Sequence, residues 1–353
     1  MRDTSPKYFP CAICKSQPAD KTNSHIIPSF FVAMVSSIDH SYKRDKELLY
    51  TIGDRITTTY IGRSVREEEL LNSFDFISNE RLNEMTKPTV SKDYIFCSHC
   101  EKKLGQYLES PWHDHIFNGK SIKPDAAYFF WVSLLWRISA FESITFKLPH
   151  HLEKALGKRL NSLIQSKDNK EDTQSLLNKV PFHYKVLYCK DYSKKHAGVI
   201  YYEYDRKSKT FTLLLGDVAA CFSFHKHGSF DKHSFYGLEN AFANAPVNDG
   251  SSNEAILKIE SSVFDEVITN LIDKLQDIRL QSDRKNILDM WKLVSERLIP
   301  LPPKPNDDFV NFVIHKLYND SVKTGEKITY EYFAKCFGLG LEKIYGVPII
   351  HNS

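Results

Sequence analysis

The sequence predicts an α+β protein, with a cysteine-bearing N-terminal module followed by helices packed on an antiparallel sheet. Three observations predict it. Two short cysteine pairs, Cys11/Cys14 and Cys97/Cys100, bracket the first third of a 353-residue chain. A stretch from about 126 to 143 is apolar nearly all round and opens on Lys123-Pro124-Asp125, so it reads as a central helix. Four β-branched or aromatic runs, at 184–189, 198–204, 210–215 and 218–224, are separated by turn residues and read as strands.

Composition sets the frame for these elements. With 42% hydrophobic and 26% charged residues the chain is globular rather than disordered. A net charge of +3 leaves no bulk field for nucleic acid, so any such contact must come from local patches. The N-terminal residues carry no apolar signal region, and no run of about 18 apolar residues exists to span a membrane. Seven cysteines without a signal segment point to a reducing compartment, hence the cytoplasm. Cys189, Cys221 and Cys336 lie in apolar surroundings and read as buried free thiols.

Taken in order, residues 1–120 form the cysteine module, interrupted by a long insertion over 29–90. The insertion opens with a helix through Phe30–Met34 and holds a hairpin within 50–63 and helices over 65–74 and 78–85. Tyr94-Ile95-Phe96 reads as a short strand entering the second cysteine pair. A helix starts on that pair and stops before Pro111. Residues 121–353 form the second region: the central helix, a more amphipathic helix over 152–165, a polar loop at 166–173, and the strands. A loop at 244–253, helices over 256–280 and 284–298, and a proline-rich break at 300–305 follow. Two helices near 309–318 and 330–337 close the chain.

The cysteines carry the chemistry. Two CxxC knuckles supply four soft ligands, which zinc binds tetrahedrally at about 2.3 Å. One CxxC alone is equally a redox motif, but the two pairs together favour metal. Between them, Ser24-His25-Ile26-Ile27-Pro28 places an imidazole beside the braced frame.

Knuckle, strand, second strand, then a knuckle opening a helix is the order that a treble-clef zinc finger needs. On Cys11, Cys14, His25, Pro28, Cys97 and Cys100 the chain resembles the zinc-bearing HNH endonuclease superfamily, across about residues 8–110. It also resembles a group of bacterial proteins that join such a finger to a helical and β C-terminal region, through Phe130–Arg137. The resemblance implies structural Zn2+ on the four cysteines and His25 as general base. A catalytic Mg2+ or Mn2+ would steady the scissile phosphate. Its ligands are expected before His25 and after Cys100, where this chain has Ser24 and Glu101. The superfamily's middle asparagine is missing, and Asp93 is the candidate in its stretch. The implied activity is hydrolysis of nucleic-acid phosphodiesters, DNA favoured, in a bacterial antiphage defence effector that acts alone or with a second protein subunit. The alternative is a catalytically degenerate zinc-finger module that binds nucleic acid or protein. On that view His25 bonds a backbone carbonyl and Glu101 is a solvated residue at a helix N-terminus.

Other clusters have plainer readings beside them. His113 and His115 flank Asp114 on an expected loop. His225, His227 and His233 form a second histidine concentration. Lys102 and Lys103 adjoin the cysteines. Lys194, Lys195, Arg206, Lys207 and Lys209 lie on turns near Tyr201, Tyr202 and Tyr204, a combination that serves nucleic-acid faces but is equally solvated decoration on a two-faced strand.

Overall fold

A computed structural model describes residues 9–36, 91–142, 147–179, 182–196, 199–205, 207–225, 230, 234–297, 301–324 and 328–347. The hairpin expected within 50–63, the helices over 65–74 and 78–85, Arg206, His227 and His233 lie outside the described residues. These residues fall into two units, up to 270 and from 271 onward. No helix among them is long and apolar enough to cross a membrane.

The first unit begins at the first knuckle, closed by a bridge between Pro10 and Pro18. Strand β1 (Ser24–His25) pairs antiparallel with β2 (Ser91–Lys92), and helix α1 (Ser29–Ser36) follows β1. The strand expected at Tyr94–Phe96 is instead this earlier pair. Tyr94 takes a left-handed backbone (φ 59°), which ends the extended run. Its partners persist without regular geometry: the Tyr94 N–H donates to the Lys21 carbonyl, and the Lys21 N–H donates to that of Phe96.

Helix α2 (Ser98–Leu104) starts on the second knuckle. It runs through a π turn (Gly105–Glu109) into α3 (Ser110–Asn118), so it does not stop before Pro111. The reason is local. A proline clashes with the carbonyl four residues back in a regular helix. Here the wider turn lets the Ser110 N–H reach Gly105, five back, and Pro111 enters just beyond it.

Helix α4 (Pro124–Arg137) is the centre of the unit, with nearly every residue buried, and passes into a second π turn (Ile138–Glu142). Phe130 stacks on Trp112 of α3 with centroids 4.4 Å apart. Trp131 packs edge-on against Trp112 at 5.1 Å and meets Phe222 of the sheet at 5.5 Å. Each fully buried aromatic contributes about 1.5–3 kcal/mol, so this layer dominates the fold's hydrophobic stabilisation. Helix α5 (His150–Asp168) and a 3₁₀ turn (Gln174–Lys179) lead to the sheet.

Strand β3 (His183–Tyr188), the short helix α6 (Tyr192–Lys195), β4 (Ile200–Asp205), β5 (Thr210–Leu215), β6 (Val218–Ser223), helix α7 (Glu239–Asn244) and β7 (Ile256–Lys258) follow. The sheet order is β4-β5-β6-β3-β7, antiparallel except for β3 with β7. Ile256–Lys258 was expected to open a helix; it pairs with Val186–Tyr188 instead. So short an apolar run has no period of its own, and the free edge of β3 decides it.

Helix α1 docks on the β5–β6 turn, where the Asp217 N–H donates to Met34 Sδ at 3.1 Å. Gly216 makes this approach possible: it holds φ 62°, and a Cβ there would stand 2.5 Å from Met34 Sδ. Gly216→Ala is expected to destabilise the protein by about 1–3 kcal/mol, read as a lowered urea midpoint with an unchanged slope.

Helix α8 (Ser261–Arg297) is one helix where two were expected. Gln281-Ser282-Asp283 does not break it, because Asp283 accepts from Arg279 Nε at 2.9 Å and from the Tyr318 hydroxyl at 2.8 Å. Helices α9 (Asp307–Thr324) and α10 (Tyr330–Tyr345) complete the second unit around Trp291, Phe309 and Phe337. The proline-rich connector is tied down by Trp291, whose indole N–H donates to the Pro302 carbonyl.

Candidate metal centre and the polar site beside it

Four thiolates at about 2.3 Å from one tetrahedral ion stand about 3.8 Å from one another. Cys14 Sγ and Cys97 Sγ are 3.8 Å apart, and the sulfurs of Cys11, Cys14, Cys97 and Cys100 all lie within 4.8 Å of one another. The local fold explains the convergence. After Cys14 the chain turns back through left-handed Lys15 (φ 59°), whose N–H bonds the Cys11 carbonyl. The Ala12 N–H donates to the Ile95 carbonyl, joining the first knuckle to the second. Cys97 caps α2, accepting from the Cys100 N–H, and Asp20 accepts from the Ser98 N–H at 2.7 Å.

The electrostatics also call for a cation. A hydrogen bond from Cys100 holds the Cys11 thiol down at about 4, whereas that same bond, with burial, pushes Cys100 well above the ordinary thiol range. Burial lifts Cys97 to about 11. Four adjacent sulfurs, three of them buried, cannot all be ionised beside one another unless a dication neutralises them. The donor set therefore fits a structural metal ion such as zinc.

A second polar group lies where the β1–β2 pair meets α2 and α4. Arg137, 2% exposed, donates through Nη1 to the carbonyl of His25 and to Glu109 Oε1, both at 2.8 Å. The Glu101 carboxyl is raised above the ordinary carboxylate range, first by burial and further by Glu109, while Arg137 and the Ser24 hydroxyl work the other way. Among the described residues Arg137 Nε and Nη2 are buried without a hydrogen-bond partner, and Glu101 Oε2 and Ser24 Oγ are buried with no partner other than the contact of the Ser24 hydroxyl with the Glu101 carboxyl.

The sequence candidates are distributed around this geometry. Ser24 and Glu101 come together at the junction, and His25 brings its backbone carbonyl there, fixed by Arg137; as the next residue on β1 it is half-buried and turns its side chain to the other face of the strand from Ser24. Asp93 is exposed, and its carboxylate accepts the N–H of left-handed Asn23 at 2.6 Å. Lys103 is engaged by Asp168 at 2.7 Å and by the Tyr107 hydroxyl, and His99 also bonds Asp168. Lys194 pairs with Asp191. His113 and His115 sit on α3 rather than a loop, His113 packing its ring on Phe30. His115 Nδ1 donates to the Lys120 carbonyl, and its Nε2 faces Glu254 at 3.8 Å. His225 is exposed. Tyr201 turns inward to donate to Glu203, and Tyr204 stacks on Phe211. A groove of about 480 Å³ runs from Cys14 and His99 to Gln165 and Asp168 of α5.

Arg137, Glu109 and Glu254 escaped the sequence reading. For Arg137 a signal existed: a charge within an otherwise apolar helix must find a buried partner. No protein-family model, curated protein or solved structure matches this chain.

Proposed function

We propose that this chain is a metal-dependent, HNH-like endonuclease whose zinc-braced knuckles form a treble clef. The observation that supports it is the pair of buried oxygens, Glu101 Oε2 and Ser24 Oγ, which meet each other where the strand carrying His25 faces α2. These are hard donors, suited to Mg2+ or Mn2+ rather than to the soft cysteine set. Such an ion, when bound, supplies positive charge at the scissile phosphate. His25 takes the proton from the attacking water, the water oxygen bonds phosphorus, and the bond to the 3′ oxygen breaks. That departing oxygen takes its proton from solvent. DNA is the favoured substrate on the resemblance of the motif.

Zinc-loaded protein with Mg2+ or Mn2+ is expected to nick supercoiled plasmid, and His25→Ala to slow that by about 10²- to 10⁴-fold at unchanged zinc content. Plasmid left intact by the wild type overturns the reading. One observation favours the alternative of a non-catalytic zinc module that binds nucleic acid or protein. Among the described residues the four cysteines are the one cluster of three or more potential metal-ligating side chains. Retained plasmid binding without cleavage, equal in wild type and His25→Ala, is the outcome that selects it.

A further inference from the structure

Arg137 uses only part of its guanidinium. Both hydrogens of Nη1 are engaged, one by the His25 carbonyl and one by Glu109. Nε and Nη2, which together form the side-on edge of the group, are buried and make no hydrogen bond among the described residues. Charged donors left unmade in the interior are among the costlier defects a fold can carry. Glu101 and Ser24 meet only each other there, and a carboxyl and a hydroxyl keep acceptor capacity beyond that one contact, so three elements (β1, α2 and α4) bring incompletely satisfied polar atoms to one junction.

The backbone is also unusual there. One π turn ends on Glu109, and the other begins directly after Arg137. Such turns reposition side chains and concentrate at functional sites. Glu109 keeps 23% of its side chain exposed and His25 is half-buried, so the Nη1 end of the guanidinium lies nearest the surface, with the Nε–Nη2 edge deeper.

The parallel N–H groups of an arginine edge match two oxygens of a tetrahedral oxyanion. Glu101 alone would repel such an anion; a divalent cation between them removes the conflict. We propose that the Nε–Nη2 edge of Arg137 binds two oxygens of one phosphodiester group, with a divalent cation bridging that phosphate to Glu101. The assignment rests on the endonuclease reading for the choice of a diester. Arg137 then holds the substrate phosphate and, through Nη1, fixes the strand bearing His25 relative to it.

The test uses full-length, zinc-loaded protein with labelled arginine side chains, titrated with dimethyl phosphate or inorganic phosphate in Mg2+. Dimethyl phosphate is expected to shift the Arg137 Nε–H resonance saturably, and more tightly with Mg2+ than without. Arg137→Lys, which keeps the charge and loses the edge, is expected to weaken binding by about tenfold or more. An Arg137 resonance unmoved by either probe, or equal binding by Arg137→Lys, overturns the proposal. A response to inorganic phosphate alone overturns the diester assignment. If Arg137→Lys does not fold, the wild-type resonance decides by itself. A diester bound at Arg137 by protein that cleaves no plasmid leaves the phosphate site standing and removes the endonuclease reading. Cleavage with an unmoved Arg137 does the reverse.

Discussion

Cys100→Ala is expected to empty the four-cysteine centre and release the first knuckle. Cys100 is fully buried at the start of α2, and its sulfur is within 4.8 Å of the other three, so no neighbouring group can replace it. Structural zinc contributes on the order of 10 kcal/mol to the folding of small thiolate modules. Without it, the knuckle depends on a few backbone bonds, chiefly Ala12 to Ile95 and Lys21 to Phe96. Elemental analysis is expected to fall from one zinc per chain to none. Hydrogen exchange should lose protection at Ala12, Lys21 and Tyr94 while the β3, β5 and β6 amides keep theirs, since α4 and its aromatic layer hold the sheet independently. Retained zinc, or retained protection at Ala12 and Lys21 without it, would show that packing alone maintains the frame.

Glu254→Leu is expected to cost about 2–5 kcal/mol, at about 1–3 kcal/mol for each buried donor left unpaired. The Glu254 side chain is fully buried and accepts from the Trp131 indole at 2.7 Å and the Trp112 indole at 3.1 Å. A leucine there leaves both indole N–H groups without an acceptor in the centre of the aromatic layer. Urea unfolding followed by tryptophan emission measures the loss directly. Glu254→Gln keeps an acceptor oxygen and is expected to cost less, and it isolates a pH effect. Burial raises the Glu254 carboxyl above its ordinary range, against the indoles and His115, which favour the charged form. The native state therefore holds this proton more tightly than the unfolded chain. The contribution is fully present below the ordinary value of 4.5 and is lost as pH rises through the native one. Glu101 and Glu203, also raised mainly by burial, slope the same way in both proteins. The readout is the difference between wild type and Glu254→Gln, and an identical pH dependence in the two refutes it.

How far the sequence was legible depended on the range over which each residue acts. The paired cysteines state their chemistry in four-residue units, and the four sulfurs meet as that spacing requires. Helix α4 and strands β3, β5 and β6 were readable because each is a continuous apolar or β-branched run, told apart by length and by the proline or turn residues that bound it. Pro111 misled because its usual effect was absorbed by a π turn, which no local pattern marks. The polar junction was half legible. His25 and Glu101 follow from motif position, but Arg137 binds a carbonyl 112 residues away, and Glu109 becomes its partner only after the π turn rotates it inward. Glu254 sits in a loop with no periodicity, and its partners Trp112 and Trp131 are 142 and 123 residues distant in sequence.

Of the four cysteines, Cys11, Cys97 and Cys100 are buried, whereas Cys14 is only half-buried and lines the open groove against α5. Chelators, competing metals and oxidants would therefore meet an ion held by this quartet from the groove, at the edge that Cys14 leaves open.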